Sequence, residues 1–181
     1  MPTFIALYRG INVVGKNLVK MSDLRALHEA LGHKSIQTYL QSGNVVFQAA
    51  GSPSRITAKI STAFEKKFGF APAILLCTAP QWARFVAENP FRNFSDADPT
   101  KVHAAICKGE PCAGQLKNLL KKVGKREQFV IKTGVIYLYA PDGFGASKFA
   151  SAMERSAAIP ITFRNWRTIQ SLHELAKNPS T

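Results

Sequence analysis

The chain has 181 residues, 46% of them hydrophobic and 19% charged, and no stretch comes near the roughly 20 uninterrupted apolar positions that a membrane-spanning helix requires. Its 24 lysines and arginines outnumber 11 aspartates and glutamates, and the net charge of +13 is spread over both halves, +6 across residues 1–90 and +7 across 91–181. So few carboxylates, with no Asp/Glu cluster among them, argue against a two-metal nuclease centre. The positive field itself attracts phosphates, nucleic acid or acidic lipid surfaces.

Met1 to Ala6 shows no basic segment leading into an apolar run, so a cytoplasmic protein without a membrane span is expected. Cys77, Cys107 and Cys112 are odd in number and lack Cys-x-x-Cys spacing. They are expected to be reduced thiols, with no disulfide, no metal and no cofactor.

In chain order, Phe4 to Arg9 reads as a strand, and Ser22 to Gly32 as a helix opened by a serine cap and closed by glycine. Ile36 to Gln41 is a strand, Ser42-Gly43-Asn44 a turn and Val45-Val46-Phe47 the returning strand. Ser54 to Phe68 carries helical spacing and Ala73 to Cys77 is a fourth strand. Residues 89–99 are rich in turn formers and read as a linker. The order then repeats: strand Val102 to Cys107, helix Gly114 to Val123, hairpin Gln128 to Lys132 with Val135 to Ala140, helix Ser147 to Ala157 and strand Ile161 to Arg164. A last amphipathic helix is capped by Asn165. The predicted fold class is α+β: two tandem ferredoxin-like (βαββαβ) halves with antiparallel sheets, residues 1–88 and 100–181, plus a C-terminal helix.

Four segments could carry chemistry. Gly10 to Asn17 matches the phosphate-loop pattern except at Asn17, where a magnesium-binding Ser or Thr would stand, and no helix follows at once. What survives is a loop with Arg9, Asn12, Lys16 and Asn17 able to hold an anion, or else a structural turn. Gly143 to Lys148 sets glycines, Ser147 and Lys148 at a helix start, either an anion site or an ordinary strand-to-helix turn. Phe163 to Thr168 joins Arg164, Asn165 and Arg167 to Trp166, which could stack a base or anchor the helix. Lys117 to Arg126 holds five basic residues in ten, a solvated helix face or a nucleic-acid footprint. His28 and His33 are five apart, a spacing that places the two imidazoles on different sides of a helix and fails the zinc-protease pattern.

Arg9-Gly10-Ile11-Asn12-Val13, Gly15-Lys16-Asn17, Thr38 to Phe47 and Thr162 to Thr168 together resemble the signatures of a bacterial family, domain of unknown function 1697. The resemblance runs from the first strand to the last helix. It implies two ferredoxin-like parts and brings no substrate, cofactor or catalytic residue. Val14 stands where the family's first loop is expected to carry Gly, and Gly145 to Lys148 matches its late Gly/Ser/Lys segment loosely.

The leading expectation is a protein that binds nucleic acid or a phosphate-bearing small molecule. Tyr8, Phe47, Tyr137 and Tyr139 lie on strands where RNA-binding plaits carry exposed aromatics. The alternatives are an enzyme acting on a small phosphorylated or nucleotide-like substrate in a cleft between the halves, and a protein-interaction module. If the first and third strands of each half run parallel, the loop after the first and the loop after the third share one end. Arg9, Asn12, Lys16 and Lys148 could then form one anion cluster, with the Ser42-Gly43-Asn44 turn and Arg164 to Trp166 at the opposite end.

Overall fold

The computed structural model describes residues 1–13, 15–107, 119–155 and 161–179. It divides into two compact units, residues 1–84 with the C-terminal segment from Ser171, and Phe85–Gln170. The first contains β1 (Thr3–Arg9), α1 (Met21–Ala30), β2 (Lys34–Tyr39), β3 (Asn44–Gln48), α2 (Pro53–Phe68) and β4 (Ala73–Thr78). The second contains α4 (Arg92–Ala97), β5 (Val102–Cys107), β6 (Gln128–Lys132), β7 (Val135–Tyr139), α5 (Lys148–Arg155) and β8 (Ile161–Asn165). Two helices, α3 (Ala79–Ala87) and α6 (Trp166–Lys177), contribute residues to both units.

Both sheets are antiparallel, in the orders β2-β3-β1-β4 and β6-β7-β5-β8. This is the same plait twice, as the repeated strand and helix pattern predicts. β1 pairs antiparallel with both β3 and β4, and β2 with β3, so β1 runs parallel to β2 and not to β3. The end of β1 therefore lies beside the β2–β3 turn. In the second unit the same logic sets the loop after β7 beside the end of β8, with Leu138 and Asn165 flanking His103. The expectation that the loops after the first and third strands of a half share one end is overturned, because the crossover helix of a split βαβ unit makes the first and second strands parallel.

α2 shows how sequence sets an element. Ser52 accepts the Arg55 amide, Pro53 occupies the first turn, and Gly69 ends the helix with φ at 78°. Ile56, Ile60 and Phe64 recur on one face and join Phe4, Tyr8 and Phe47 in a core cluster. Full burial of each such side chain contributes about 1.5–3 kcal/mol. α1 differs from expectation. It starts at Met21 behind Lys20, with no side-chain cap, and Ser22 lies within it. The stretch read as a linker holds α4, where Asn89 accepts the Phe91 amide and bonds Ser95. Residues 114–118 of the predicted helix Gly114 to Val123 lie outside the described residues, which show helix at 119–120.

Both faces of β1 are covered. Phe4, Ala6 and Tyr8 on one face of β1 and Ile5 and Leu7 on the other are all buried. Tyr137 is buried too, and Tyr139 stacks on Phe94 at 4.0 Å. Of the aromatics expected to greet RNA bases, Tyr8, Phe47 and Tyr137 are core residues and Tyr139 is half-buried.

Candidate functional site

The loop after β1 is stapled from within. The Asn12 amide donates to the carbonyls of Val19 and Gln41 at 2.9 and 2.8 Å, and its oxygen accepts the Val19 N–H. The Asn17 side chain donates to the Gly10 carbonyl at 2.9 Å. Both asparagines hold φ at 54°, a left-handed conformation that Asn tolerates better than most residues. The Asn12 and Lys16 amides bond the Asn17 and Val13 carbonyls. The Asn12 and Lys16 amides and both asparagine side chains are thus spent inside the loop. Arg9 is half-buried and engaged, which leaves Lys16 as the exposed cation of this group.

Gly43 of the hairpin turn backs directly onto this loop. A methyl group there would come within 2.5 Å of Ile11 Cδ1 and 2.9 Å of Tyr8 Cβ. The turn expected at the opposite end is part of the same structure.

In the second unit Ser147 caps α5, its hydroxyl accepting the Ala150 N–H at 3.0 Å. Asn165 caps α6 by accepting the Thr168 N–H at 2.9 Å. Arg164 donates to Thr162 Oγ1 and the Phe163 carbonyl at 2.6 and 3.0 Å, and burial lowers its pKa to about 10, opposed by Glu154. Trp166 is buried. These groups serve the fold, and Lys148 is the exposed member of the set.

Lys148 has unforeseen neighbours. With Lys121, Lys122, Lys125 and Arg126 it lines a depression of about 540 Å³, and with Lys122 and Arg155 an adjoining one of about 310 Å³. Of the two carboxylates here, Asp142 pairs with Arg126, and Glu127 accepts the Gly124 amide at 2.7 Å. The lysine run of one segment and the helix start of another therefore make one basic groove within a single unit. Arg9, Asn12, Lys16 and Asn17 belong to the first unit, whereas Ser147, Lys148, Arg164 and Asn165 belong to the second.

The sequence reading missed a buried polar chain in the first unit. Tyr8 Oη lies 2.8 Å from His28 Nε2, and His28 Nδ1 lies 2.9 Å from His33 Nδ1. The two imidazoles meet, contrary to their expected separation, because α1 ends at Ala30 and His33 is not on it. Burial, with a smaller contribution from His33, lowers the His28 pKa to about 3. Burial and then Lys59 lower that of His33, and burial holds the Tyr8 phenol protonated. Phe47 stacks on His33 at 4.4 Å.

Cys77 and Cys107 are free thiols that burial pushes up to about 12 and 11, whereas Cys112 lies outside the described residues. Among the described residues no three His, Cys, Asp or Glu side chains gather as metal ligands, and no helix is long and apolar enough to cross a membrane.

A family model described as "Protein of unknown function (DUF1697)" matches residues 1–137. The chain belongs to this family. No curated protein matches it. Among solved structures, a conserved bacterial protein from Streptococcus pneumoniae is 21% identical, with a TM-score of 0.75 over 97% of this chain and 98% of that one. At that identity the likeness shows the fold alone.

Proposed function

We propose that the chain is a cytoplasmic nucleic-acid-binding protein that grips the phosphate backbone through the basic groove of its second unit. The observation that carries this reading is the convergence of Lys121, Lys122, Lys125, Arg126, Lys148 and Arg155 on two adjoining depressions in a chain of net charge +13. Lysines act here as point charges that neutralise phosphates and release counterions. The buried Tyr8, Phe47 and Tyr137 argue against base stacking on the sheet, so recognition is by charge and without base sequence.

The test is binding of a fluorescent 20-nucleotide single strand, measured by anisotropy across a salt series. Each phosphate neutralised on a single strand contributes a slope of about −0.7 in log K against log salt. Lys122→Ala and Lys148→Ala should each make the slope shallower by about that amount, whereas Lys16→Ala should leave it unchanged. Equal small losses in all three would mean diffuse attraction and no groove.

A further inference from the structure

The Tyr8–His28–His33 chain ends at a depression of about 440 Å³ on the first unit, lined by His33, Arg55 and Lys59 among others. The cavity is of ligand size, and it belongs to neither the basic groove nor the loop after β1.

Three features give it a chemistry. First, among the described residues the walls hold no carboxylate and neither Arg55 nor Lys59 has an acidic partner, although they stand one turn apart on α2. Like charges four residues apart repel each other on a helix, and an anion between them removes that repulsion. Both lie in the first two turns of α2, whose positive dipole end adds to the field. Second, the His33 ring has one nitrogen committed to His28 and makes no other hydrogen bond among the described residues, so Nε2 is the atom left to a ligand. Third, Leu31, Ala49 and Ile56 supply an apolar wall.

The buried chain decides what Nε2 presents. An Nδ1–Nδ1 bond between neutral rings needs one donor and one acceptor. In the arrangement where the phenol donates to His28 Nε2, the His28 proton stays on Nδ1 and donates to His33 Nδ1, and the His33 proton sits on Nε2. In that arrangement Tyr8 sets the tautomer of His33.

We propose that this depression binds a small phosphomonoester, its dianionic phosphate held by Arg55, Lys59 and the His33 Nε2–H, and its organic body laid on the apolar wall. Two cations and a neutral donor match a dianion better than a carboxylate's single charge. The apolar wall favours an ester over free phosphate.

Phenyl phosphate is the probe, titrated into the full chain at pH 7.5 with calorimetry and with nitrogen-15 NMR of the histidine rings. The expected result is saturable binding at which the His33 and His28 resonances move together and His33 Nε2 carries its proton. Arg55→Ala and Lys59→Ala, both exposed substitutions, should each weaken binding about tenfold, the size of one lost hydrogen bond to a charged group. Lys148→Ala should not weaken it, and phenol should bind far more weakly. A His33 resonance that does not move, an unprotonated Nε2 in the complex, or full affinity in both α2 variants would overturn the proposal. Inorganic phosphate binding as tightly as phenyl phosphate would overturn the role given to the apolar wall.

Discussion

His28 and His33 face each other Nδ1 to Nδ1 at 2.9 Å because the chain between them forms a left-handed helix stop. Gly32 holds φ at 76°, its amide bonds the Glu29 carbonyl at 2.9 Å, and the His33 amide reaches back to the His28 carbonyl at 3.2 Å. That pair of bonds is the Schellman motif, which brings the residue after the glycine against the residue three positions inside the helix end.

Gly32→Ala should therefore break the contact through the backbone alone, since a methyl group there meets nothing within 4 Å. The left-handed conformation should cost about 1–2 kcal/mol. Thermal or urea denaturation reads the loss, and ring NMR reads separation of the two imidazoles. Unchanged stability would contradict the motif's role.

Buried histidines make stability depend on pH with a definite sign. The folded pKa is about 3 for His28 and about 4 for His103, and His33 is lowered as well, all below the unfolded value near 6.5. Between these limits the unfolded chain binds more protons, so stability should rise with pH from about 4 to about 6.5 and level off above. Each such ring contributes a slope of up to about 1.4 kcal/mol per pH unit. Urea midpoints at pH 5, 6 and 7 check this, and a flat profile would contradict it. His28→Asn should lower the slope by one ring's share.

Gly43→Ala should be more harmful than Gly32→Ala. It combines φ at 75° with a methyl group forced against Ile11 and Tyr8, and overpacking typically costs about 1–3 kcal/mol beyond the backbone strain. Asn12→Ala should lose about 2–3 kcal/mol, because it strips three hydrogen bonds from the loop. It should leave oligonucleotide affinity unchanged in protein that remains folded. Loss of affinity with stability intact would return Asn12 to a ligand-binding role.

Elements governed by local rules were legible in the sequence. Helical spacing of apolar residues marks α2, Ser147 and Asn165 cap α5 and α6, and short apolar runs mark the strands. Which loops meet was not. That follows from strand direction, and assuming β1 parallel to β3 put the wrong loops at one end of each sheet. The Tyr8–His28–His33 chain left a trace in Gly32 with histidines on either side at the positions a Schellman stop brings together. Reading the five-residue spacing as continuous helix hid it. The asparagines of the first loop carried a signal of polarity that the fold spends on its own carbonyls. The groove around Lys148 joins segments about 25 residues apart in sequence, and only the packing of the second unit brings them together.

The most direct test of the proposed function is the salt dependence of single-strand binding in the charge-reversed double variant Lys122→Glu/Lys148→Glu, compared with Lys16→Glu/Lys20→Glu on the first unit. Both doubles change the net charge equally and replace exposed residues. The groove double should lose the binding and its steep salt slope, with the first-unit double close to wild type. Equal weakening in the two doubles would show attraction by net charge alone and contradict the groove.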